Sequence, residues 1–279
     1  MSRNILKRSP MRSHTPAMPR RAPGWKYDLN KPNEQPQLSS PTARLRTPPN
    51  HFCDTYLELP RSTIRLRGVG IFGGIVCICA ISATALMIIY TALTPSFELE
   101  VKYTLLSLFF IVLMYWTVIP TIRMDIEFPR DEPIRFNRLR RKVYFYQYHF
   151  DRFHLFSRQR WGVRPVVYDW DDLVAEACSV YAPMGNGGLI ENVVISVIKP
   201  GTEEVIDRLF FTHDIEQGKQ YWALAQLFMQ QGPQALPEFV HPPRDWNDDS
   251  QLSPIHCIAP KVRWPEEIDF ESRSAPGSY

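Results

Sequence analysis

Two long apolar runs, VGIFGGIVCICAISATALMIIYTAL (Val69–Leu93) and YTLLSLFFIVLMYWTVIPTI (Tyr103–Ile122), lie close together in this chain of 279 residues. Neither run contains Asp, Glu, Lys, Arg or His. About 20 apolar residues at a rise of about 1.5 Å each cover the hydrocarbon core of a bilayer. The runs therefore predict two membrane-spanning helices. The alternative, a pair of buried core helices, is disfavoured because a soluble helix normally carries a polar stripe.

The segment that joins the two runs, TPSFELEVK (Thr94–Lys102), is too short to form a domain, so the helices are predicted to form a tight hairpin. Lys and Arg beside a span are retained on the cytoplasmic side of a membrane. The basic residues that flank this hairpin are Arg61, Arg65 and Arg67 before the first span and Arg123 and Arg130 after the second. We therefore predict that both termini are cytoplasmic and that the lipid bilayer is a partner.

Small residues in the first span allow close approach of a second helix. Gly70 and Gly74 are four residues apart, and such pairs let two helix backbones come together. Packing against the second span of the same hairpin is the favoured interpretation, and a homodimer through Gly70 and Gly74 is the alternative. A transporter or channel is disfavoured because the spans carry no ionisable residue.

Charge and proline content divide the chain into four segments. Residues 1–60 are a proline-rich basic arm, predicted to be disordered because low hydrophobicity cannot offset chain entropy. The hairpin occupies residues 61–123, a β-rich cytoplasmic domain follows over 124–232, and a proline-rich tail covers 233–279. Residues 1–67 carry 13 Lys or Arg against 4 Asp or Glu, a net of +9, and the remainder carries 19 against 25, a net of −6. Aromatic residues are sparse in the arm, so no direct nucleic acid binding is expected.

Short segments of alternating polarity and then one amphipathic helix follow the hairpin. Alternation with period two predicts strands, whereas apolar residues three and four apart predict a helix. Gly232 and Pro233 should end that helix. The fold class predicted is a membrane-anchored α+β protein, in which an antiparallel sheet or barrel follows a two-helix transmembrane hairpin and carries a C-terminal helix. The predicted strands are Met124–Phe128, Ile134–Arg138, Val143–Phe150, Trp161–Trp170, Leu173–Pro183 (strand favoured over helix) and two runs over 189–200 and 205–213, and the helix is Ile215–Gln231.

Candidate catalytic and metal-binding groups are weak. His149 and His154 flank Asp151, but a spacing of five residues on a strand places the two imidazoles on opposite faces. Three aspartates around Trp170 are more typical of a solvated turn than of a paired-carboxylate site. The five cysteines show no CxxC spacing and are interpreted as free thiols. The chain is therefore predicted not to be an enzyme, with no catalytic residue, no cofactor and no metal.

Two phrases carry a resemblance to known proteins. IRFNRLRRKVYFY (Ile134–Tyr146) resembles the strand-turn-strand pattern of pleckstrin-homology-like domains in bacterial membrane proteins. With the hairpin and VYDWDDLVAE (Val167–Glu176), the chain over residues 59–232 resembles a Gram-negative family of two-span inner-membrane proteins encoded beside type VI secretion effectors and regarded as immunity proteins. The resemblance implies a bacterial inner-membrane protein that binds and neutralises a cognate effector toxin, its partner, in the cytoplasm.

Two charged surfaces are candidates for contact. An acidic surface is predicted to cover a basic cleft of the toxin, and it comprises Asp169, Asp171, Asp172, Glu176 and Glu191. The alternative function is a membrane-tethered pleckstrin-homology-like scaffold or regulatory module that binds lipid head groups or a partner protein. Its candidate membrane-facing residues, which are otherwise solvated turn charges, are Arg61, Arg65, Arg67, Arg135, Arg138, Arg140, Arg141 and Lys142.

Overall fold

Two long apolar helices form a hairpin in this computed structural model, which describes residues 18–36, 45, 47–61, 67–93, 101–151, 153–154, 157, 159–182, 188–245, 247 and 257–277. Helix α1 spans Val69–Leu93 and helix α2 spans Val101–Glu127. Both helices are long and apolar enough to cross a membrane, and only 11% of the apolar window of each is buried within the protein. The bounds of α1 are those predicted, whereas α2 continues beyond Ile122. The segment that connects them, Thr94–Glu100, lies outside the described residues.

The ends of α1 and α2 cap each other, and this explains why α2 is longer than predicted. The Arg67 guanidinium donates to the carbonyls of Asp125, Phe128 and Pro129 at 3.0, 2.8 and 2.7 Å, which satisfies the last turn of α2. In return, Oδ2 of Asp125 accepts hydrogen bonds at 3.0 and 3.1 Å from the amides of Gly68 and Ile71 at the start of α1. The prediction of a strand over Met124–Phe128 is therefore wrong, because capping by a distant arginine outweighs local alternation.

The small residues of α1 pack against α2 of the same chain. A Cβ atom at Gly70 would lie 2.7 Å from the carbonyl oxygen of Thr121, and one at Gly74 would overlap the Ile122 side chain. The Ser82 hydroxyl lies 3.1 Å from the Tyr115 hydroxyl and adds a polar contact. Because α2 occupies the surface around Gly70 and Gly74, the homodimer proposed through these two residues has no free interface.

Two antiparallel sheets and a helix form the rest of the fold. The strands are β1 (Trp25–Asp28), β2 (His51–Phe52), β3 (Tyr56–Leu59), β4 (Ile134–Asn137), β5 (Lys142–Phe145), β6 (Tyr148–His149), β7 (Gly162–Val163), β8 (Val166–Asp169), β9 (Leu173–Ala182), β10 (Gly188–Ile198) and β11 (Val205–Thr212). The first sheet has the order β2-β3-β4-β5-β8 and the second has the order β1-β9-β10-β11. Strands β6 and β7 form a separate two-stranded ribbon. Helix α3 (Ile215–Gln231) follows β11, and α4 (Glu266–Arg273) lies near the C-terminus.

The transmembrane-type hairpin is inserted between two neighbouring strands of one sheet. Strand β3 precedes α1 and β4 follows α2, yet the two strands pair directly, with Leu57 opposite Phe136 and Leu59 opposite Ile134. All four of these side chains are fully buried. The prediction that residues 1–60 are disordered is wrong for this segment, because the high average proline content conceals a short run, YLEL, that completes the sheet.

A second part of the N-terminal arm, residues 18–36, wraps around the outside of the domain. Strand β1 pairs with β9, and the chain then crosses α3. Nε1 of Trp222 donates to the carbonyl of Asn30 at 2.7 Å, and Nε2 of Gln226 donates to the carbonyl of Lys31 at 2.6 Å. These bonds are formed by backbone carbonyls of the arm, so they depend little on its side chains. The described part of the arm therefore belongs to the folded domain.

The core lies between the two sheets and α3. Trp170 and Trp222 stack with ring centroids 4.9 Å apart, and Phe136 and Phe211 pack edge-on against them. Helix α3 has the predicted bounds and buries its predicted apolar face. The Asp214 side chain caps it by accepting a hydrogen bond from the Glu216 amide at 2.8 Å.

The glycine contacts predict different effects for two neighbouring substitutions in α1. Gly70→Ala should lower the free energy of unfolding by about 1–3 kcal/mol, because its methyl group would push against the Thr121 carbonyl rather than a flexible side chain. Gly73→Ala should be neutral or stabilising, because a Cβ there meets nothing within 4 Å and alanine favours a helix. Unfolding of the full chain in detergent, followed by circular dichroism, measures both. Equal stability of the two variants would contradict this packing.

Candidate functional site

The residues predicted to form an acidic surface are divided between two places. Glu176 is buried in β9, where its Oε2 accepts a hydrogen bond from the Ala22 amide at 2.9 Å and lies 3.7 Å from the Arg208 guanidinium. Glu191 forms an ion pair with Lys26 at 2.8 Å. Both carboxylates therefore hold the N-terminal arm against the second sheet. The prediction that Glu176 contacts a partner is wrong, because this residue is buried.

The other three carboxylates lie at the turn between β8 and β9. Asp171 accepts hydrogen bonds from Arg141 and from the Asn33 amide group, and the bond from Arg141 is the main reason that the pKa of Asp171 lies below its usual range. Asp169 is exposed and Asp172 is half-buried. Burial, together with the charges of Asp169 and Asp171, raises the pKa of Asp172. The acidic surface is thus reduced to Asp169 and Asp172, beside an aspartate that already has partners.

Three of the arginines predicted to face the membrane are buried. Arg61, Arg67 and Arg135 are 3%, 8% and 3% exposed, so the prediction that they contact lipid head groups is wrong. Guanidinium groups can saturate several carbonyls or carboxylates at once, and this makes their burial tolerable. Arg65 lies outside the described residues.

The remaining basic residues of that set lie at the turn between β4 and β5 and bind other parts of this chain. Arg140 donates to the carbonyls of Ser274 and Ala275 at 3.0 and 2.9 Å. Lys142 lies 3.2 Å from Glu271, and Arg141 bonds Asp171 as described above. Arg138 is half-buried. The turn therefore anchors the C-terminal segment at the end of β4 opposite the hairpin.

A polar cleft of 540 Å³ lies between the C-terminal segment and the first sheet. Arg135 is its central residue: its guanidinium donates to Asp269 at 2.6 Å and also bonds Glu58. The same guanidinium stacks 4.5 Å from the Trp264 ring and 5.5 Å from the Tyr56 ring. Arg135 forms ion pairs with Glu58 and Asp269, so the three charges are paired with one another. Because Asp269 belongs to α4, these ion pairs hold α4 against the first sheet. The tail predicted over 233–279 is therefore docked where it is described.

A buried polar cluster lies at the base of the hairpin, and we call its residues Asn50, Arg61, Asp131 and Glu132 the junction cluster. The Arg61 guanidinium donates to the carbonyls of Glu132, Phe210 and Tyr146 at 3.0, 2.8 and 2.7 Å, which ties both sheets together. The Asp131 carboxylate accepts from the Arg61 amide at 2.9 Å and from Asn50 Nδ2 at 3.1 Å. Burial raises the pKa of Asp131 to about 6.

The segment that joins β6 to β7 places aromatic side chains beside the C-terminal part of α2. This is the end of α2 that the sequence predicts to lie on the cytoplasmic side. A cavity of 420 Å³ lies between them, and we call it the membrane-side groove. Phe150 and Phe153 are 43% and 77% exposed at its edge. Arg123 stacks 4.4 Å from the Trp161 ring beside it. The groove is lined by Trp116, Thr117, Pro120, Thr121 and Met124 of α2 and by Phe150 and Phe153.

Sequence reasoning missed this groove, although the segment HFDRFHLFSRQRW (His149–Trp161) contains a usable signal. Aromatic residues mixed with arginines are typical of a membrane–water interface. Alternation predicts a strand as far as Phe150, because the first two residues of the segment continue the pattern that begins at Val143. Its position beside α2 follows from the turn after β5, which no local pattern specifies.

Two exposed apolar pairs lie at the end of the hairpin formed by β9 and β10, and they are on opposite faces of the sheet because neighbouring residues of a strand point to opposite sides. Tyr181 pairs across the strands with Leu189, and Val180 pairs with Ile190. The exposed fractions are 70%, 60%, 44% and 56% respectively. Exposed apolar side chains at one end of a sheet suit contact with a partner.

Metal-binding geometry is not found in the part of the chain that the structure describes, where no three His, Cys, Asp or Glu side chains come together. His154 instead lies 2.8 Å from Asp151, and Arg160 lies 3.2 Å from the same carboxylate. These three side chains form a local charged cluster beside the membrane-side groove.

Comparison with protein families gives one match, and it covers more than half of the chain. A family model described as a family of unknown function, DUF6708, matches residues 111–276. The match begins within α2 and includes β4 to α4. Comparisons with curated proteins and with solved structures give no match.

Asp131 makes a specific contribution to the pH dependence of stability. Its pKa is 3.8 in the unfolded chain and about 6 in the folded protein. Between these values the folded state binds a proton that the unfolded state releases. The free energy of unfolding should therefore fall as the pH rises across this window, by up to about 3 kcal/mol.

Asp131→Asn should remove that fall. Urea unfolding of the full chain in detergent, followed by tryptophan fluorescence between about pH 4 and about pH 7, measures the difference. Asp169→Asn, at an exposed position, controls for the loss of one charge. A wild-type slope retained in Asp131→Asn would show that another group is responsible.

Proposed function

The chain belongs to DUF6708, a family of unknown function, and we propose that it is a membrane-anchored binding protein. In this proposal, α1 and α2 span a bacterial inner membrane, and the two-sheet domain lies in the cytoplasm and acts by contact rather than catalysis. The single observation that carries it is the pairing of β3 with β4 across an apolar hairpin. The more specific role, from the resemblance stated above, is neutralisation of a type VI secretion effector.

The position of the hairpin within the sheet supports membrane insertion. Because β3 and β4 are hydrogen-bonded, the segments before α1 and after α2 must lie on the same side of any membrane that the helices cross. Two spans meet this condition and one span does not. The helices also expose large apolar side chains along their length, such as Val76 at 68% and Phe109 at 61%. A contiguous apolar surface of this kind is unfavourable in water.

The charges at the base of the hairpin support a cytoplasmic domain. Lys and Arg close to a span bias its insertion, and this bias acts before the domain has folded. Arg61 and Arg67 therefore count toward orientation although they are buried in the final structure. Arg123 and Arg130 follow the second span.

The orientation predicts the pattern of protease sensitivity. Added protease should leave the domain intact in spheroplasts and digest it in inverted inner-membrane vesicles, when tags at both termini are followed by immunoblotting. A periplasmic protein of the same cells controls for protease access. Removal of the domain from intact spheroplasts would contradict the topology.

Toxin binding is supported by two carboxylates of the resembling phrase that the fold leaves accessible, one of them exposed and the other half-buried. Asp169 and Asp172 belong to VYDWDDL and lie at the turn after β8. An inhibitor needs a stable surface with complementary charge and needs no reactive group. The buried Trp170 between the two aspartates fixes that turn to the core.

We expect the double variant Asp169→Lys, Asp172→Lys to weaken toxin binding by about tenfold or more, because it reverses charge at the proposed contact. Glu203→Lys, Glu204→Lys in the loop after β10 is the matched control. Affinity is measured with the product of the neighbouring effector gene, and protection is measured in competition with the parent strain.

Deletion of the gene should be lethal only in cells that carry or receive that effector. Survival of the deletion strain in competition with its parent would count against an immunity role. Equal binding by the acidic-turn variant and the control variant would leave toxin binding intact but would exclude the acidic turn as its site.

The second candidate function is a pleckstrin-homology-like scaffold. Its support is the order of elements: two antiparallel sheets are followed directly by α3, which packs against the core. In this case a partner protein would bind without any link to a toxin. The exposed apolar end of β9 and β10 around Tyr181 suits such a contact better than the arginines that the structure buries.

A further inference from the structure

We propose that the membrane-side groove and the ribbon beside it form a second membrane contact, in which phospholipid acyl chains enter the groove and nearby arginines bind anionic head groups. This inference rests on the membrane anchoring proposed above. It adds a surface of the domain itself to the two helices. The occupant is bilayer lipid, and four features of the structure favour it.

The first feature is the depth of the groove. Four of its five α2 residues, from Trp116 to Thr121, belong to the uncharged run that ends at Ile122, and the fifth, Met124, follows Arg123. At a rise of about 1.5 Å per residue, Thr117 lies about 9 Å along the helix from Arg123. Phe150 and Phe153 pack at this level. If α2 spans a bilayer, the groove therefore opens where acyl chains meet head groups.

The second feature is the exposure of its aromatic residues. Phe153 is 77% exposed and Trp116 is 44% exposed, although both lie beside a cavity that could have buried them. Aromatic side chains are enriched at both interfaces of a membrane. Trp116 belongs both to the exposed side of α2 and to the lining of the groove, so a lipid that covers α2 also reaches the groove.

The third feature is charge. Arg160 and Arg164 are exposed in and next to the ribbon, where Arg160 lies 3.2 Å from Asp151 and Arg164 donates to the Gln159 carbonyl at 2.7 Å. A guanidinium has five N–H donors, so one such bond does not exhaust it. Arg123 is paired with Glu127 at 2.7 Å and stacked on Trp161. It therefore holds the ribbon against α2 and is not proposed to bind a head group. The sequence over residues 147–164 contains four arginines and one aspartate. Basic residues close to an anionic leaflet are attracted to it.

The fourth feature is that the rival basic surface is occupied. The turn around Leu139 carries four basic residues, and three of them, Arg140, Arg141 and Lys142, bind the C-terminal segment or Asp171. Leu139 also lies at the end of β4 opposite the hairpin, and at 44% its exposure matches that of Phe150. It is therefore a control position that also lies among basic residues but has a different predicted environment, and it is less exposed than Phe153 at 77%.

Photo-crosslinking of the full chain in vesicles tests the proposal. Benzoylphenylalanine replaces Phe153 in one protein, Phe109 in a second and Leu139 in a third. Each protein is reconstituted in phosphatidylcholine vesicles with and without phosphatidylglycerol, irradiated, and analysed by mass spectrometry for phospholipid adducts. Position 109 reports on α2 and therefore on membrane anchoring alone.

We expect lipid adducts at positions 109 and 153 and none at position 139. Adducts at 109 without adducts at 153 would overturn the second contact and leave the anchor standing. Adducts at 139 instead of 153 would overturn it in favour of the basic turn. The absence of adducts at 109 would overturn both the anchor and the inference that rests on it.

The charge component has its own variants. Arg160→Glu, Arg164→Glu should lower the adduct yield at position 153 several-fold in vesicles that contain phosphatidylglycerol, and much less in phosphatidylcholine alone. Arg20→Glu, Lys199→Glu, at two other exposed cations, is the matched control. If the adduct yield at position 153 is equal in the two double variants, Arg160 and Arg164 do not bind anionic head groups, and that part of the proposal is wrong.

Discussion

The hydrogen bonds between β3 and β4 are the constraint on which the rest of the structure depends. They join a strand that precedes the apolar hairpin to a strand that follows it, so the hairpin must leave the domain and return to it. The junction cluster lies directly beside these strands, where Arg61 and Asp131 bind across the same gap. Arg67 and Asp125 then cap the adjoining ends of α1 and α2, so they also join a residue before the hairpin to a residue near its end. Three successive polar contacts thus bring the two ends of the hairpin together.

Much of the fold could be predicted from local patterns. The bounds of α1 and α3 follow from hydrophobic runs and caps, and most strands after Ile134 follow from alternation. The N-terminal strands could not be predicted in this way. β1 binds β9 and β3 binds β4, so what stabilises each lies far along the chain. The end of α2 was mistaken for a strand for the same reason, since Arg67 satisfies its carbonyls.

In the candidate sites too, local sequence predicts residue types but not the contacts that distant segments make. Sequence identifies charged residues, but it does not show which charges the fold uses internally. Arg135 and Glu176 are typical surface residue types, and both are buried by partners from the arm or the C-terminal segment. The membrane-side groove combines the end of α2 with a ribbon that follows two strands later. Only the aromatic and basic composition of that ribbon is visible in the sequence.

The insertion of the hairpin between β3 and β4 also orders the events of synthesis. The ribosome makes β3 before either apolar helix, so the edge of β3 that pairs with β4 stays open until both helices and β4 have been made, although its other edge can already pair with β2. An unpaired strand edge exposes its backbone groups. The first sheet can therefore be completed only after the whole hairpin has been synthesised, so a chain that stops within either helix leaves β3 with one unpaired edge.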